Sequence, residues 1–186
     1  MTVKVVSVRE ADGGGAVILT FEISAEGTGG ESERRSLLLT LPQYREHRLR
    51  RGDTVTTEEF DELETMSKTA EATRRGAGIL AYGANSRSTL RRKLISKGFS
   101  RDVSDAAVAA LSDEGLIDEN KAALREAERC VAALRGRKYI SARLFSLGYR
   151  GDATEAADEY MKSVDFPALC AQFIEKKYGG ALPDEP

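Results

Sequence analysis

The hydrophobic positions of the chain change their period after about forty residues. Before that point apolar and polar side chains alternate, as in a strand with one buried face. Three segments are predicted to form strands: residues 3–8, 16–23 and 36–41. Residues 12–15 (Asp-Gly-Gly-Gly) predict a turn, and residues 25–32, which hold three glycines, predict a loose loop. Three short strands are marginal alone, so this module is expected to pack on the helices or on a partner.

Beyond Pro42 the apolar spacing becomes helical. Thr56 or Thr57 is expected to cap a helix, with Glu58 and Glu59 favourably placed in its first turn. Apolar side chains then recur three or four positions apart. They are Phe60, Leu63, Met66 and Ala70. This helix is expected either to run on or to break into residues 77–82.

An internal repeat of 50 residues organises the helical part. Leu90, Leu94, Gly98 and Phe99 recur as Ile140, Leu144, Gly148 and Tyr149. The helices are expected at about residues 68–83, 86–97 and 102–114, and again at 119–135, 137–146 and 152–163. Gly98 and Gly148 follow a helix, where a left-handed residue ends it at low cost. A further helix over residues 165–178 would open a third, incomplete unit.

These patterns predict a mainly α fold of tandem three-helix repeats, two full and a third truncated, with a small N-terminal β module. The expected domains are a β-rich module (1–56), a first helical repeat (57–117), a second helical repeat (118–164), and the start of the truncated third repeat with a tail (165–186).

Charge is strongly segregated behind a net charge of −2. Residues 72–101 hold eight bases and no acid, residues 102–120 hold six acids and no base, and residues 121–150 hold eight bases against two acids. A solvated helix face is the ordinary alternative, but the long acid-free run and its recurrence favour basic patches that bind an acidic partner. The candidate partner-binding residues are Arg87, Arg91, Arg92, Lys93, Lys97, Arg101, Arg135, Arg137, Lys138 and Arg143. Tyr139 is expected in a core or interface, with stacking on a base as the alternative.

Catalytic and cofactor motifs are missing from the sequence. His47 is the only histidine, which excludes a multi-histidine zinc site, and no Ser-His-Asp neighbourhood is visible. The glycines at 13–15 lack the Lys-Ser/Thr of a phosphate-binding loop, and Gly76 and Gly78 are expected to kink or end a helix. We therefore expect no enzyme, no cofactor and no metal. Asp118 and Glu119 are expected to stabilise the start of a helix.

The sequence also favours a cytoplasmic protein. No apolar run approaches the roughly 20 residues that span a bilayer, and residues 1–10 lack the apolar core of a signal peptide. Cys130 and Cys170 are expected to be reduced, half-buried thiols.

Several spaced motifs resemble the RecX family, over roughly residues 57–178. Ser86-x3-Leu90-x3-Leu94-x3-Gly98-Phe99 is similar to the family's first-repeat helix and glycine turn. Residues 115–119 resemble its acidic junction, residues 135–140 its second-repeat basic helix, and residues 174–178 the end of a third-repeat helix. The junction has Asp118-Glu119 where the family shows two aspartates, and the third repeat lacks its last two helices.

The resemblance implies a non-enzymatic regulator in DNA repair, recombination and the SOS response. It implies binding to RecA, along the groove of the RecA–DNA filament, and restraint of strand exchange. DNA contact, direct or through RecA, is compatible with the basic patches. The alternative function is a helical module that binds DNA without RecA.

Overall fold

The computed structural model describes residues 2–11, 15–24 and 32–179. The rest of the turn predicted at 12–15, nearly all of the loop predicted at 25–32, and the tail beyond 179 lie outside the described residues. The chain forms two compact units: Met1–Ala77 with Leu94–Ala110, and Gly78–Lys93 with Leu111–Pro186. The four predicted domain boundaries stay a prediction.

The N-terminal strands form an antiparallel sheet in the first unit. Strands β1 (Thr2–Glu10), β2 (Ala16–Ser24) and β3 (Ser32–Thr40) follow the predicted segments, and β3 begins earlier than predicted. The sheet order is β3-β2-β1-β4, because the short strand β4 (Thr54–Val55) pairs with β1. Helix α1 (Leu41–His47) follows β3 directly.

The alternating apolar residues of the sheet meet the first turns of helix α2 (Thr57–Ala81). Val17, Leu19 and Phe21 are buried on one sheet face, in the same core as Phe60 and Leu63. The Phe21 and Phe60 rings meet edge to face, with centroids 5.1 Å apart. The β module therefore packs on the helical part rather than standing alone, as the small number of strands required.

Helix α2 (Thr57–Ala81) begins as expected but continues beyond one predicted end. Thr56 is its cap: Thr56 Oγ1 accepts from the Glu59 amide at 3.1 Å, and Glu59 accepts from the Thr56 amide at 2.9 Å. The end expected at Gly76 or Gly78 is wrong, because α2 continues through both to Ala81, and of the two alternatives for residues 77–82 the helix runs on. A glycine inside a helix costs only about 1 kcal/mol relative to alanine, too little to end a helix of 25 residues.

The remaining helices follow the predicted repeat. They are α3 (Arg87–Ser96), α4 (Arg101–Asp113), α5 (Glu119–Ala132), α6 (Arg137–Ser146), α7 (Glu155–Ser163) and α8 (Phe166–Tyr178). The mainly α fold with helical repeats and a small N-terminal sheet is confirmed. One detail differs: α7 begins at Glu155, after a short 3-10 turn over Gly151–Thr154, rather than near Asp152.

Glycine turns end the two equivalent helices as predicted. Gly98 and Gly148 have φ values of 95° and 87°. After each, the amide of the next aromatic bonds back to a helix carbonyl: Phe99 to Leu94 at 3.3 Å, and Tyr149 to Leu144 at 3.0 Å. These bonds satisfy carbonyls that a helix end otherwise leaves unpaired.

The second repeat has its own core in the second unit. Ile140 and Leu144 of α6 pack with Ala123 and Ala127 of α5 and with Met161 of α7. Both cysteines are free thiols. Cys130 is buried in the same core and Cys170 is exposed, so the expectation that both are half-buried is wrong. No helix in the described part of the chain is both long enough and apolar enough to span a bilayer.

Candidate partner-binding surfaces

Four of the predicted cations lie on α3 in the second unit, and we call them the first basic surface: Arg87, Arg91, Arg92 and Lys93. They surround the buried Leu90, and Arg91 is half-buried while the other three are exposed. Arg92 donates to the neutral hydroxyl of Thr89 at 3.3 Å, and no carboxylate in the part of the chain that the structure describes lies within ion-pair distance of it. Lys97 and Arg101 are exposed as well, but they belong to the first compact unit.

Arg87 of the first basic surface lies beside an acidic residue. Its guanidinium donates to Ser112 Oγ at 2.6 Å and lies 3.7 Å from Glu119 Oε2. The Arg87 amide donates to Glu119 Oε1 at 2.8 Å, so Glu119 also satisfies an amide at the start of α3. Asp118 caps α5 by accepting from the Lys121 amide at 2.9 Å, as expected. Sequence reasoning missed the second role of Glu119, because it depends on a partner 32 positions away.

The second basic surface consists of Arg135, Arg137 and Lys138, at the start of α6. All three are exposed. The Arg135 guanidinium lies 5.0 Å from the centre of the Tyr139 ring, which is itself 49% exposed. Arg137 lies 5.1 Å from the Phe166 ring centre and donates to the Met161 carbonyl at 2.8 Å. Within the described residues, no carboxylate lies within ion-pair distance of these three cations, so the surface keeps its positive charge.

Arg143 is held differently from the other predicted cations of the second repeat. Glu126 Oε1 lies 2.9 Å from Arg143 Nε, and Glu126 Oε2 lies 2.6 Å from an Arg129 nitrogen. Burial raises the pKa of Glu126, but hydrogen bonds and charge from Arg129 and Arg143 outweigh burial and lower it overall. These three side chains line an open cavity of about 360 Å³ in the second unit. The ion pair with Glu126 therefore links Arg143 of α6 to α5. Arg143 stays a candidate residue for partner binding.

Comparisons with known proteins identify relatives. No family model matches the chain. Two curated proteins named regulatory protein RecX, from Xanthomonas axonopodis pv. citri (strain 306) and Xanthomonas citri, are each 29% identical to it over 111 residues. The match spans 60% of this chain and 68% of each relative. The chain is similar to the RecX regulatory proteins.

A solved crystal structure of a regulatory protein RecX has the same fold. It superposes with a TM-score of 0.70 at 16% identity, covering 97% of this chain and 86% of that one. The expected resemblance to the RecX family is confirmed by the two curated proteins, and the solved structure shows the same fold.

The RecX-like helical region also exposes aromatic residues that sequence reasoning missed as candidates. Phe145 is 61% exposed, and the Arg150 guanidinium lies 4.1 Å from its ring centre. Phe173 is 38% exposed on α8, with Lys177 5.6 Å from its ring centre. The sequence signal for such a pair is an arginine or lysine close to an aromatic residue along the chain. That signal does not show whether the ring is exposed or lies in the core. Searched over residues 2–11, 15–24 and 32–179, the RecX-like chain has no group of three His, Cys, Asp or Glu placed to hold a metal ion.

Proposed function

We propose that this chain is a regulator of recombination that binds the RecA–DNA filament and restrains its activity. The two relatives are regulatory proteins by name, which supports a RecX-like regulatory role. The proposal places the chain in the cytoplasm, where recombination and DNA repair take place. Its contacts with RecA use the two basic surfaces, with Lys97, Arg101 and Arg143 as further candidate contacts.

The observation that carries the proposal is the uncompensated charge of the second basic surface. Arg135, Arg137 and Lys138 lie together at the start of α6. Among the described residues, Arg135 and Arg137 contact aromatic rings and a carbonyl rather than carboxylates. Such cations attract an acidic assembly and speed the encounter with it. Since exposed charges are screened by salt, binding that uses them weakens as ionic strength rises.

A filament-binding assay tests the proposal. Purified chain is added to RecA assembled on single-stranded DNA, and both co-sedimentation and strand exchange are measured. We expect association with the filament and a decrease in strand exchange at stoichiometric amounts. Unchanged strand exchange together with no co-sedimentation would contradict the proposal.

Two charge reversals locate the contact. Arg92→Glu in the first basic surface and Lys138→Glu in the second should each weaken filament binding about tenfold, a loss of about 1.4 kcal/mol. The matched control is Arg45→Glu on α1, an exposed arginine outside both surfaces. If all three variants bind alike, the basic surfaces do not make the contact.

The alternative function is direct DNA binding without RecA. Exposed rings beside cations, such as Tyr139 with Arg135 and Phe145 with Arg150, favour it because bases stack on aromatic side chains while cations meet phosphates. It predicts a gel shift of DNA in the absence of RecA, with an affinity that falls steeply with salt. Binding to the filament but not to free DNA would exclude it.

A further inference from the structure

Beyond Phe166, which packs against the core of the second repeat, helix α8 presents an apolar face that the described residues leave largely uncovered. It runs over 13 residues from Phe166 to Tyr178, and none of them is buried. Phe173 is 38% exposed and Cys170 is exposed. A helix with this many apolar residues normally buries one face against a neighbour. The uncovered face of α8 therefore indicates an interaction surface.

The uncovered face borders a groove between α8 and the start of α6. The groove has a volume of about 400 Å³, within the range of roughly 300–1,000 Å³ that is usual for ligand pockets. Leu134, Leu169 and Phe173 contribute apolar lining, and Arg135 and Arg137 contribute cations. None of the lining residues is an aspartate or a glutamate.

Charge and ring geometry indicate what the groove accepts. Each of three rings has a cation near its face: Arg135 at Tyr139, Arg137 at Phe166 and Lys177 at Phe173. These cations have no carboxylate within ion-pair distance among the described residues, so the groove is apolar within and positive at its edges. A helical segment with an apolar stripe and acidic flanks complements it.

The backbone at Leu134 gives a second, independent indication. Leu134 has a φ of 56°, and its amide bonds to the Val131 carbonyl at 2.8 Å while Arg135 bonds to the Cys130 carbonyl at 2.9 Å. The same pair of bonds ends the helices at Gly98 and Gly148, where glycine takes the left-handed conformation without strain. A leucine is strained there, and strained residues are typical of functional sites. The Leu134 side chain lines the groove, so a docking role of the groove would account for a leucine in this strained conformation.

We propose that this groove docks an acidic, amphipathic helical segment of a protein partner. Apolar side chains of the segment pack on Leu134, Leu169 and Phe173, and its carboxylates pair with Arg135 and Arg137. The inference rests on the proposed function, because these two arginines belong to the second basic surface, and it specifies the chemistry of the partner there.

Fluorescence anisotropy with two designed peptides tests the groove. One labelled helical peptide of about 16 residues carries leucines at positions i, i+4 and i+7 and glutamates on the flanks of that stripe. The matched peptide has lysines in place of the glutamates. We expect the acidic peptide to bind the full chain at least about tenfold more tightly, with an affinity that falls as salt is raised. Equal binding of the two peptides, or binding of neither, would overturn the inference.

Leu134→Gly separates a docking role from a purely structural one. Glycine relieves the left-handed strain, so the unfolding temperature should stay unchanged or rise while affinity for the acidic peptide falls about tenfold. A structural role predicts the opposite: a lower unfolding temperature with unchanged affinity. Leu116→Gly, at a leucine that is 51% exposed and does not line the groove, is the matched control and should leave peptide affinity unchanged.

Two further measurements exclude other occupants. If labelled oligothymidylate binds and Leu134→Gly abolishes that binding while the acidic peptide does not bind, the groove is a nucleic-acid site and the inference is wrong. If sedimentation shows a dimer that Leu134→Gly dissociates, the groove belongs to a second copy of this chain. Filament binding that persists without any peptide binding would defeat the groove inference alone, whereas peptide binding without filament binding would defeat the proposed function alone.

Discussion

The Ser86 hydroxyl donates a 2.7 Å hydrogen bond to the Leu147 carbonyl, 61 positions along the chain. Thr89 Oγ1 donates to the same carbonyl at 2.9 Å. Ser86 is fully buried, and its oxygen also accepts from the Thr89 amide at the start of α3. One serine therefore caps a helix of the first repeat and holds the residue that ends α6 in the second. The contact is internal to the second compact unit.

Ser86→Ala should lower the free energy of unfolding by about 1–2 kcal/mol. The variant loses a helix cap and leaves the Leu147 carbonyl with a single hydroxyl donor. Urea unfolding followed by circular dichroism measures the change. Ser88→Ala is the control, because Ser88 is exposed and its contact with the Gly148 carbonyl is long, at 3.4 Å. Equal losses in the two variants would show that the buried hydroxyl has no special role.

Gly148→Ala should destabilise the protein more than Gly98→Ala. Both glycines are left-handed, so alanine costs about 1–2 kcal/mol at either position. At Gly98 an added Cβ meets nothing within 4 Å, whereas at Gly148 it meets Ser88 Oγ and comes within 2.6 Å of Ser86 Oγ. The difference between the two unfolding free energies isolates this steric conflict. Equal destabilisation would mean that the serines move aside freely.

The sequence predicted most of the backbone, because its local signals agreed with the final fold. Alternating apolar and polar residues predicted β2, and a capping threonine predicted the start of α2. Glycines predicted the ends of α3 and α6. The continuation of α2 through Gly76 could not be predicted from propensity alone, since packing outweighs the small cost of a buried glycine. The left-handed conformation of Leu134 could not be predicted either, because leucine is not a residue that favours it.

The charged residues of the candidate surfaces could be predicted from the sequence, but their contacts with other residues could not. The sequence located the cations, because charge runs are visible without a structure. It did not reveal that Glu126 pairs with Arg143 across 17 positions, or that Arg137 lies over the ring of Phe166. Such pairings depend on how helices pack, and helical spacing along one element carries no information about a neighbouring element.

The two thiols should differ strongly in reactivity. Cys170 is exposed at the groove, whereas Cys130 is buried, and burial raises the pKa of the Cys130 thiol. Labelling with a chromogenic disulfide reagent at neutral pH should therefore show one fast thiol and one that reacts only on unfolding. Cys170→Ser should remove the fast phase and leave the slow one. Two fast thiols in the native protein would contradict the burial of Cys130.

Glu126→Gln should destabilise the protein at neutral pH by roughly 1 kcal/mol, a modest value because Arg129 is 68% exposed and solvent screens the pair. The folded pKa of Glu126 lies below its ordinary value of 4.5, so its carboxylate contributes stability above that value and loses the contribution as pH falls through the folded pKa. The stability difference between the native chain and Glu126→Gln should therefore be constant near neutral pH and shrink below about pH 4.5. Glu128→Gln is the control, because Glu128 is an exposed residue of the same helix. Urea unfolding at a series of pH values measures both variants, and a Glu126→Gln difference that persists unchanged into strong acid would show that the two arginines do not stabilise the charged form of Glu126.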